Sequence, residues 1–322
     1  MKKTARNLLL GSGALITGAT ALRTISLKAS KAFIATALDR EIPHKMKNKR
    51  FSISKNNTET IAFLKKKAEE LKNSDYETIE IESYDGEKLI GHWKHNENAK
   101  RIIIAMHGWR SSWAIDFGAI APFWDKNDCS VLYAEQRGQG RSSGNFMGFG
   151  MIERYDCFSW IKKINEFNEN RLPIYLAGIS MGAATVIMTG GFNLPENVRG
   201  IMADCGYTSA KAIWKHVIEN NTILPYSIHK NTIEKMCKKK INLTSEEYTT
   251  FDALKVNKKP ILFIHGTDDH FVPVEMTYEN YKACKAPKEL FIVPGAKHAM
   301  SYLVNKEGYE NAVKEFWNKY DV

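Results

Sequence analysis

The apolar run Leu172-Pro173-Ile174-Tyr175-Leu176-Ala177 leads directly into Gly178-Ile179-Ser180-Met181-Gly182, and Ala183-Ala184-Thr185-Val186-Ile187-Met188 follows at once. A strand, a Gly-x-Ser-x-Gly turn and a helix in immediate succession form a sharp reversal that projects the serine hydroxyl from the end of a sheet. The glycines permit the tight turn, and the alanines let the helix pack closely on neighbouring strands. The chain holds a second copy of the pattern, Gly140-Arg141-Ser142-Ser143-Gly144. There Glu135-Gln136-Arg137-Gly138-Gln139 separates the apolar run Val131–Ala134 from the motif, and the glycine-rich Asn145–Gly150 that follows is a poor helix start. Ser142 therefore reads as a loop residue and Ser180 as the exposed nucleophile.

The rest of the chain supplies a sheet for that turn. Residues 76–83 alternate apolar and polar, Tyr84-Asp85-Gly86-Glu87 forms a turn, and Lys88–Trp93 returns, which reads as an edge hairpin. Continuous apolar runs follow at 101–106, 129–134, 172–177, 200–203, 260–264 and 289–293, the first three each followed by a helical segment. Short strands without polar alternation are buried on both faces, so the expected fold class is α/β: a mostly parallel central sheet with an antiparallel edge hairpin, helices on both faces and a helical cap insertion. The alternation breaks down between Tyr207 and Val256, which sets the boundaries. These are an N-terminal segment (1–40), a helical connection (41–75), a first core part (76–206), a cap (207–256) and a second core part (257–322).

Among 322 residues, 43% are hydrophobic and 25% charged, with a net charge of +10, ordinary for a globular chain of one large domain. The lysine runs 65–67 and 238–240 are short and lack interleaved aromatics, which argues against nucleic-acid binding. Five widely spaced cysteines without a Cys-x-x-Cys imply neither a disulfide framework nor a zinc site. At the N-terminus, Lys2, Lys3 and Arg6 precede the uncharged stretch Leu8–Leu22, and an amphipathic stretch 23–35 continues it. The expectation is an uncleaved membrane anchor whose end sits at the interface, with the catalytic domain outside the cell. Secretion after cleavage at Ala19-Thr20-Ala21 and a soluble N-terminal helix are the alternatives.

A serine hydroxyl needs a base, and the base needs an acid to hold its tautomer. Both should lie on loops at the carboxyl ends of later strands. Such loops are His265-Gly266-Thr267-Asp268-Asp269-His270, after 260–264, and Pro294-Gly295-Ala296-Lys297-His298, after the last strand. His298 is the candidate base, and residue chemistry alone leaves the acid open between Asp268 and Asp269, with Asp204 in reserve. The histidines and aspartates at 265–270 could also suggest a metal, but no second ligand cluster accompanies them. For an oxyanion, the expected backbone donors are Met181, at a helix N-terminus, and Trp109, in the loop after 101–106. Trp109 also suits an aromatic wall for substrate. Just after the same strand, His107 reads as a loop-fixing residue.

These motifs resemble the α/β-hydrolase superfamily from about Tyr76 onward. The resemblance rests on the Ser180 turn, His107-Gly108, Gln136–Ser142, Asp204-Cys205-Gly206-Tyr207, His265-Gly266 with Asp269 and Val272-Pro273, and Ala296–Ala299. It is strongest to bacterial membrane-anchored members of the serine-aminopeptidase-like and lysophospholipase-like group. The resemblance implies that the acid is the third residue after His-Gly, Asp269, and that Ser142 belongs to a structural loop. Glu135 departs from the aspartate usual before Gln-Arg-Gly. The expected function is hydrolysis of carboxylic ester bonds through Ser180, His298 and Asp269, without cofactor or metal. The expected substrate is a small ester or lipid-like molecule, bound by Trp109 and the cap residues Tyr207 and Trp214, with Ile218, Leu224 and Tyr226 adding apolar surface. A peptidase of the same fold is the alternative, with Glu219, Asp252 or Glu247 receiving an amino terminus; a non-catalytic binding protein is the other.

Overall fold

In the computed structural model, eight strands form one sheet in the order β1-β2-β4-β3-β5-β6-β7-β8. The structure describes residues 24–41, 58–169, 171–221 and 225–321. The strands are β1 Glu77–Glu82, β2 Lys88–Lys94, β3 Arg101–Met106, β4 Cys129–Glu135, β5 Ile174–Ile179, β6 Val198–Asp204, β7 Ile261–Gly266 and β8 Lys288–Val293. The β1–β2 hairpin is antiparallel and β2 pairs antiparallel with β4, while every pairing from β4 to β8 is parallel. All eight runs read from the sequence are strands. The fifth is displaced: it begins at Ile174, after Pro173, which has no N–H to donate, and extends through Gly178 and Ile179 to the serine.

β3 and β4 are buried at every residue, as strands covered on both faces must be. Alternate residues part to the two sides. Ile102, Ile104 and Met106 enter one core with Leu132 and Trp160, whereas Ile103 and Ala105 enter the other with Tyr133 and Trp317. The first core lies under α5 (Glu153–Phe167) and α6 (Met181–Thr189), and the second under α3 (Trp113–Phe117), α4 (Ala121–Lys126) and α12 (Lys306–Tyr320). All five cysteines are buried and unpaired.

A third apolar cluster lies at the carboxyl ends of the strands. It unites Met181 and Tyr207 with residues of α7 (Ala210–Asn221) and α8 (Tyr226–Ile241), and with Ile34, Ala37 and Leu38 of a helix over residues 24–38, here α1. The amphipathic stretch read as lying at a membrane interface thus packs, from residue 24 on, against protein. Its apolar stripe carries no mark of which apolar partner it meets. Leu8–Leu22, the expected anchor, lies outside the described residues, among which no helix is long and apolar enough to cross a membrane. Between the cap helices and β7, α9 (Thr250–Val256) packs on α6 and α10 (Val274–Ala283).

Candidate active site

The sheet order reverses after β3: β4 lies on one side of it and β5 on the other. The chain leaving the carboxyl ends of β3 and β5 therefore diverges there, opening a crevice of the kind where ligands bind in open α/β sheets. Ser180 follows β5 and His107-Gly108-Trp109 follows β3, so both border that crevice.

Ser180 has φ 57° and ψ −115°, a conformation costly for a residue with a side chain. The fold holds it there from both sides. The Ser180 N–H donates to Asp204 O at 2.9 Å, and its carbonyl accepts from Ala184 N at 3.1 Å. The flanking glycines are obligatory: a Cβ on Gly178 would stand 2.2 Å from Gly182 O, and one on Gly182 would stand 1.8 Å from Met106 O. Arg110, Cys205 and Ala299, each in a loop leaving this end of the sheet, also have positive φ.

Three loops then meet. Ser180 Oγ lies 2.9 Å from His298 Nε2, and His298 Nδ1 lies 2.6 Å from Asp269 Oδ2. All three residues are buried. A nitrogen that close to a carboxylate carries the proton, so Nε2 is left to accept from the serine hydroxyl. Asp269 Oδ1 accepts from the Phe271 and Val272 amides, both at 2.9 Å. Burial by itself would raise the Asp269 carboxyl, but the charge of His298 and the hydrogen bonds from His265 and His298 outweigh it and hold the group well below the usual carboxylate range. Asp268 is exposed and bonded by the Thr267 hydroxyl. Asp204, the reserve acid, accepts from Ser301 Oγ at 3.2 Å; burial pushes its carboxyl up to about 7.

The loop after β3 is tied on either side of Trp109. The Gly108 N–H donates to Asp116 Oδ2 at 2.6 Å and the Arg110 N–H to Gln139 Oε1 at 2.6 Å. Among the described residues the intervening Trp109 amide meets no acceptor. Met181, the first residue of α6, has no carbonyl one turn back to receive its N–H. His107 fixes this loop as expected: Gln136 N donates to its Nε2 at 3.1 Å, which puts its proton on Nδ1 toward Gly108 O at 2.8 Å. Burial lowers its pKa, keeping the ring neutral. Ser142 is likewise structural, donating to Glu135 O at 2.5 Å and accepting from Ile90 N at 2.9 Å.

Over Ser180 lies a narrow pocket lined by Phe33, Thr36, Ala37, Trp109, Phe149, Tyr207, Ile213, Trp214, Val217 and Phe271. Trp109, Tyr207 and Trp214 are thus brought to the serine. Ile218 and Tyr226 are buried in the cluster behind them rather than lining the pocket, and Leu224 is outside the described residues. None of the lining residues is charged. The three acids considered for an amino terminus are elsewhere: Glu219 and Glu247 are exposed, and Asp252 closes a capping box with Thr249. The metal-ligand atoms of Cys205, Asp269 and His298 lie within 4.8 Å of one another. However, Asp269 and His298 are already bonded to each other, and burial pushes the Cys205 thiol well up, against a thiolate ligand.

Two contributions were not read from the sequence. His265, in sequence a metal candidate and part of the His-Gly motif of the resemblance, bonds Asp269. Phe33, Thr36 and Ala37 line the pocket from a helix assigned to the N-terminal segment. The histidine four residues before the acid is a usable signal for the first; the second had none beyond the amphipathic stripe.

Comparison with known proteins agrees with this architecture. A family model described as serine aminopeptidase, S33, matches residues 97–222. YqkD of Bacillus subtilis is 27% identical over 187 residues, which span 58% of this chain and 61% of that protein. Thus the match leaves more than a third of the relative's length uncovered. Among solved structures, the Pyrococcus furiosus esterase Pf2001 superposes with a TM-score of 0.62 at 24% identity, covering 77% of this chain and 94% of that one. Est1E of Butyrivibrio proteoclasticus with bound ferulic acid superposes with a TM-score of 0.58 at 18% identity, covering 77% and 99%.

Proposed function

We propose that this chain, which has the α/β-hydrolase fold, is a serine hydrolase acting on carboxylic esters through Ser180, His298 and Asp269. One observation carries the reading: the continuous chain of contacts from Ser180 Oγ through the His298 ring to Asp269 Oδ2, at 2.9 and 2.6 Å.

In this mechanism Ser180 Oγ attacks the ester carbonyl carbon while His298 Nε2 takes the hydroxyl proton. Asp269 keeps the ring oriented and stabilises the imidazolium that forms. The amides of Met181 and Trp109 donate to the oxyanion of the tetrahedral intermediate, where the N-terminus of α6 also favours negative charge. As the C–O bond breaks, the proton on His298 passes to the leaving alkoxide, giving the alcohol and an acyl-Ser180. Water then attacks that acyl group by the same route and releases the acid.

The uncharged pocket supports esters over peptides with a free amino terminus, because an ammonium group buried there would find no carboxylate among the lining residues. The esterases with this fold, Pf2001 among them, are consistent with that choice. The test is labelling with a fluorophosphonate, wild type beside Ser180→Ala. Labelling that depends on Ser180 is expected; its absence in folded wild-type protein would refute the hydrolase reading.

A further inference from the structure

The last turn of α1 presents four carbonyls with no partner further along the helix, and each is engaged. Ala35 O accepts from Asp39 N at 3.1 Å and Leu38 O from Met147 N at 2.8 Å. The other two are gripped by side chains of the loop beside Ser180. Trp109 Nε1 donates to Ala37 O at 2.9 Å, and the Arg110 guanidinium donates to Thr36 O from Nε at 3.0 Å and from Nη2 at 2.7 Å. A cation at a helix C-terminus also meets the negative end of the helix dipole. The hold is reciprocal. Arg40, just beyond α1, donates to Ser142 O at 2.6 Å and Gly140 O at 2.7 Å. At the other end Ser30 Oγ lies 2.9 Å from His229 Nδ1 on α8.

This fastening carries Phe33, Thr36 and Ala37 onto the pocket above Ser180. Phe33 meets Trp214 edge to face, with centroids 6.1 Å apart at 81°, and Trp109 and Phe149 form the facing wall with centroids 6.2 Å apart. The hydrolase core alone would leave that side of the site open.

We propose that α1 is the acyl-selecting wall of this enzyme: Phe33 and Ala37 close an uncharged pocket against Trp109, Phe149 and Trp214, so that the accepted acyl group is an apolar chain or ring whose length α1 sets. The assignment rests on Ser180 being the nucleophile. A methylene gained or lost in an apolar pocket changes selectivity by about tenfold or more, so substitutions on α1 register as changes in chain-length preference.

The experiment measures rates of Ser180 labelling of the whole chain by ethyl- and octyl-bearing fluorophosphonates, which require no turnover of any particular ester. Phe33→Ala lengthens the pocket and is expected to raise the octyl-to-ethyl rate ratio about tenfold, while Ala37→Leu fills it and lowers the ratio by about tenfold. Ile25→Ala, at a residue of the same helix that is 56% exposed, leaves the ratio at its wild-type value. Should Phe33→Ala not fold, Ala37→Leu tests the assignment by itself. An unchanged ratio in the folded variants, with labelling still dependent on Ser180, overturns the role of α1 and leaves the nucleophile standing. Wild-type protein that does not label through Ser180 overturns both.

Discussion

His265 Nε2 lies 3.1 Å from Asp269 Oδ2, the same carboxylate oxygen that His298 Nδ1 reaches at 2.6 Å. Val272 O lies 2.9 Å from His265 Nε2, so that nitrogen carries the proton, and Nδ1 accepts from Thr277 Oγ1 at 2.7 Å. The carboxylate is thereby held between two imidazoles, one fixed in the core and one facing the serine. On the proposed mechanism His265 is a positioning residue.

Replacing His265 by alanine is expected to lower kcat by about 10- to 100-fold, the usual range for an outer partner of a functional ligand, with KM little changed. Asp269 is held below the ordinary carboxylate range, so its stabilising contribution is fully present above about pH 3.9 and is lost as pH falls below that. Without the His265 hydrogen bond this contribution shrinks. The gap in thermal midpoint between wild type and His265→Ala should then be widest near neutrality and close below about pH 4. A gap independent of pH, or KM rising in step with the loss of kcat, would argue for general disruption instead.

Asp204 and Asp269 differ sharply in electrostatic setting, and their asparagine variants should differ too. Asp269→Asn leaves His298 without its orienting acceptor, and a loss of about 10⁴ in kcat is expected. Asp204→Asn retains the backbone carbonyl that receives the Ser180 N–H and should label within about tenfold of wild type. The Asp204 carboxyl is raised to about 7 by burial, so the folded state favours its neutral form. That stabilisation is complete below about pH 3.9, declines as pH rises and is gone above about 7. Thermal melts should show Asp204→Asn gaining on wild type across this window by up to a few kcal/mol, then levelling. A constant difference across the window would contradict the buried-acid account.

Ser142→Ala separates the two Gly-x-Ser-x-Gly copies. It removes the donor to Glu135 O and the acceptor for Ile90 N at a fully buried residue, and a stability loss of about 1–3 kcal/mol is expected. Fluorophosphonate labelling should persist. Loss of labelling in folded Ser142→Ala protein, with Ser180→Ala still labelled, would reverse the assignment of the nucleophile.

The sequence carried those features whose physics is local or ordered along the chain. Gly178 and Gly182 mark a turn that no other residue could make, and the buried strands are visible as unbroken apolar runs. Ser180, Asp269 and His298 follow strands whose sequence order could be read, so their loops could be placed at one end of the sheet. The acid itself required the family resemblance, because Asp268 and Asp269 differ only in which way the loop turns them. What stayed hidden depends on long-range packing. Burial separates Asp204 from an ordinary carboxylate, and only Thr277 and Val272 determine which nitrogen His265 offers to Asp269. The apolar stripe of α1 is the same whether it faces lipid or Trp214.

The clasp between α1 and the loop of Trp109 and Arg110 makes the helix over residues 24–38 and the loop beside Ser180 one thermodynamic unit. Docking the helix and filling the pocket draw on the same contacts, so whatever favours one favours the other to the same degree. A domain boundary drawn at Tyr76, where the hydrolase resemblance begins, would preserve the sheet, Ser180, His298 and Asp269 and still discard one side of the pocket and the grip on Trp109. Such a fragment would hold Ser180 beside an open groove, so on the proposed mechanism the segment upstream of Tyr76 sets how selective the chemistry is.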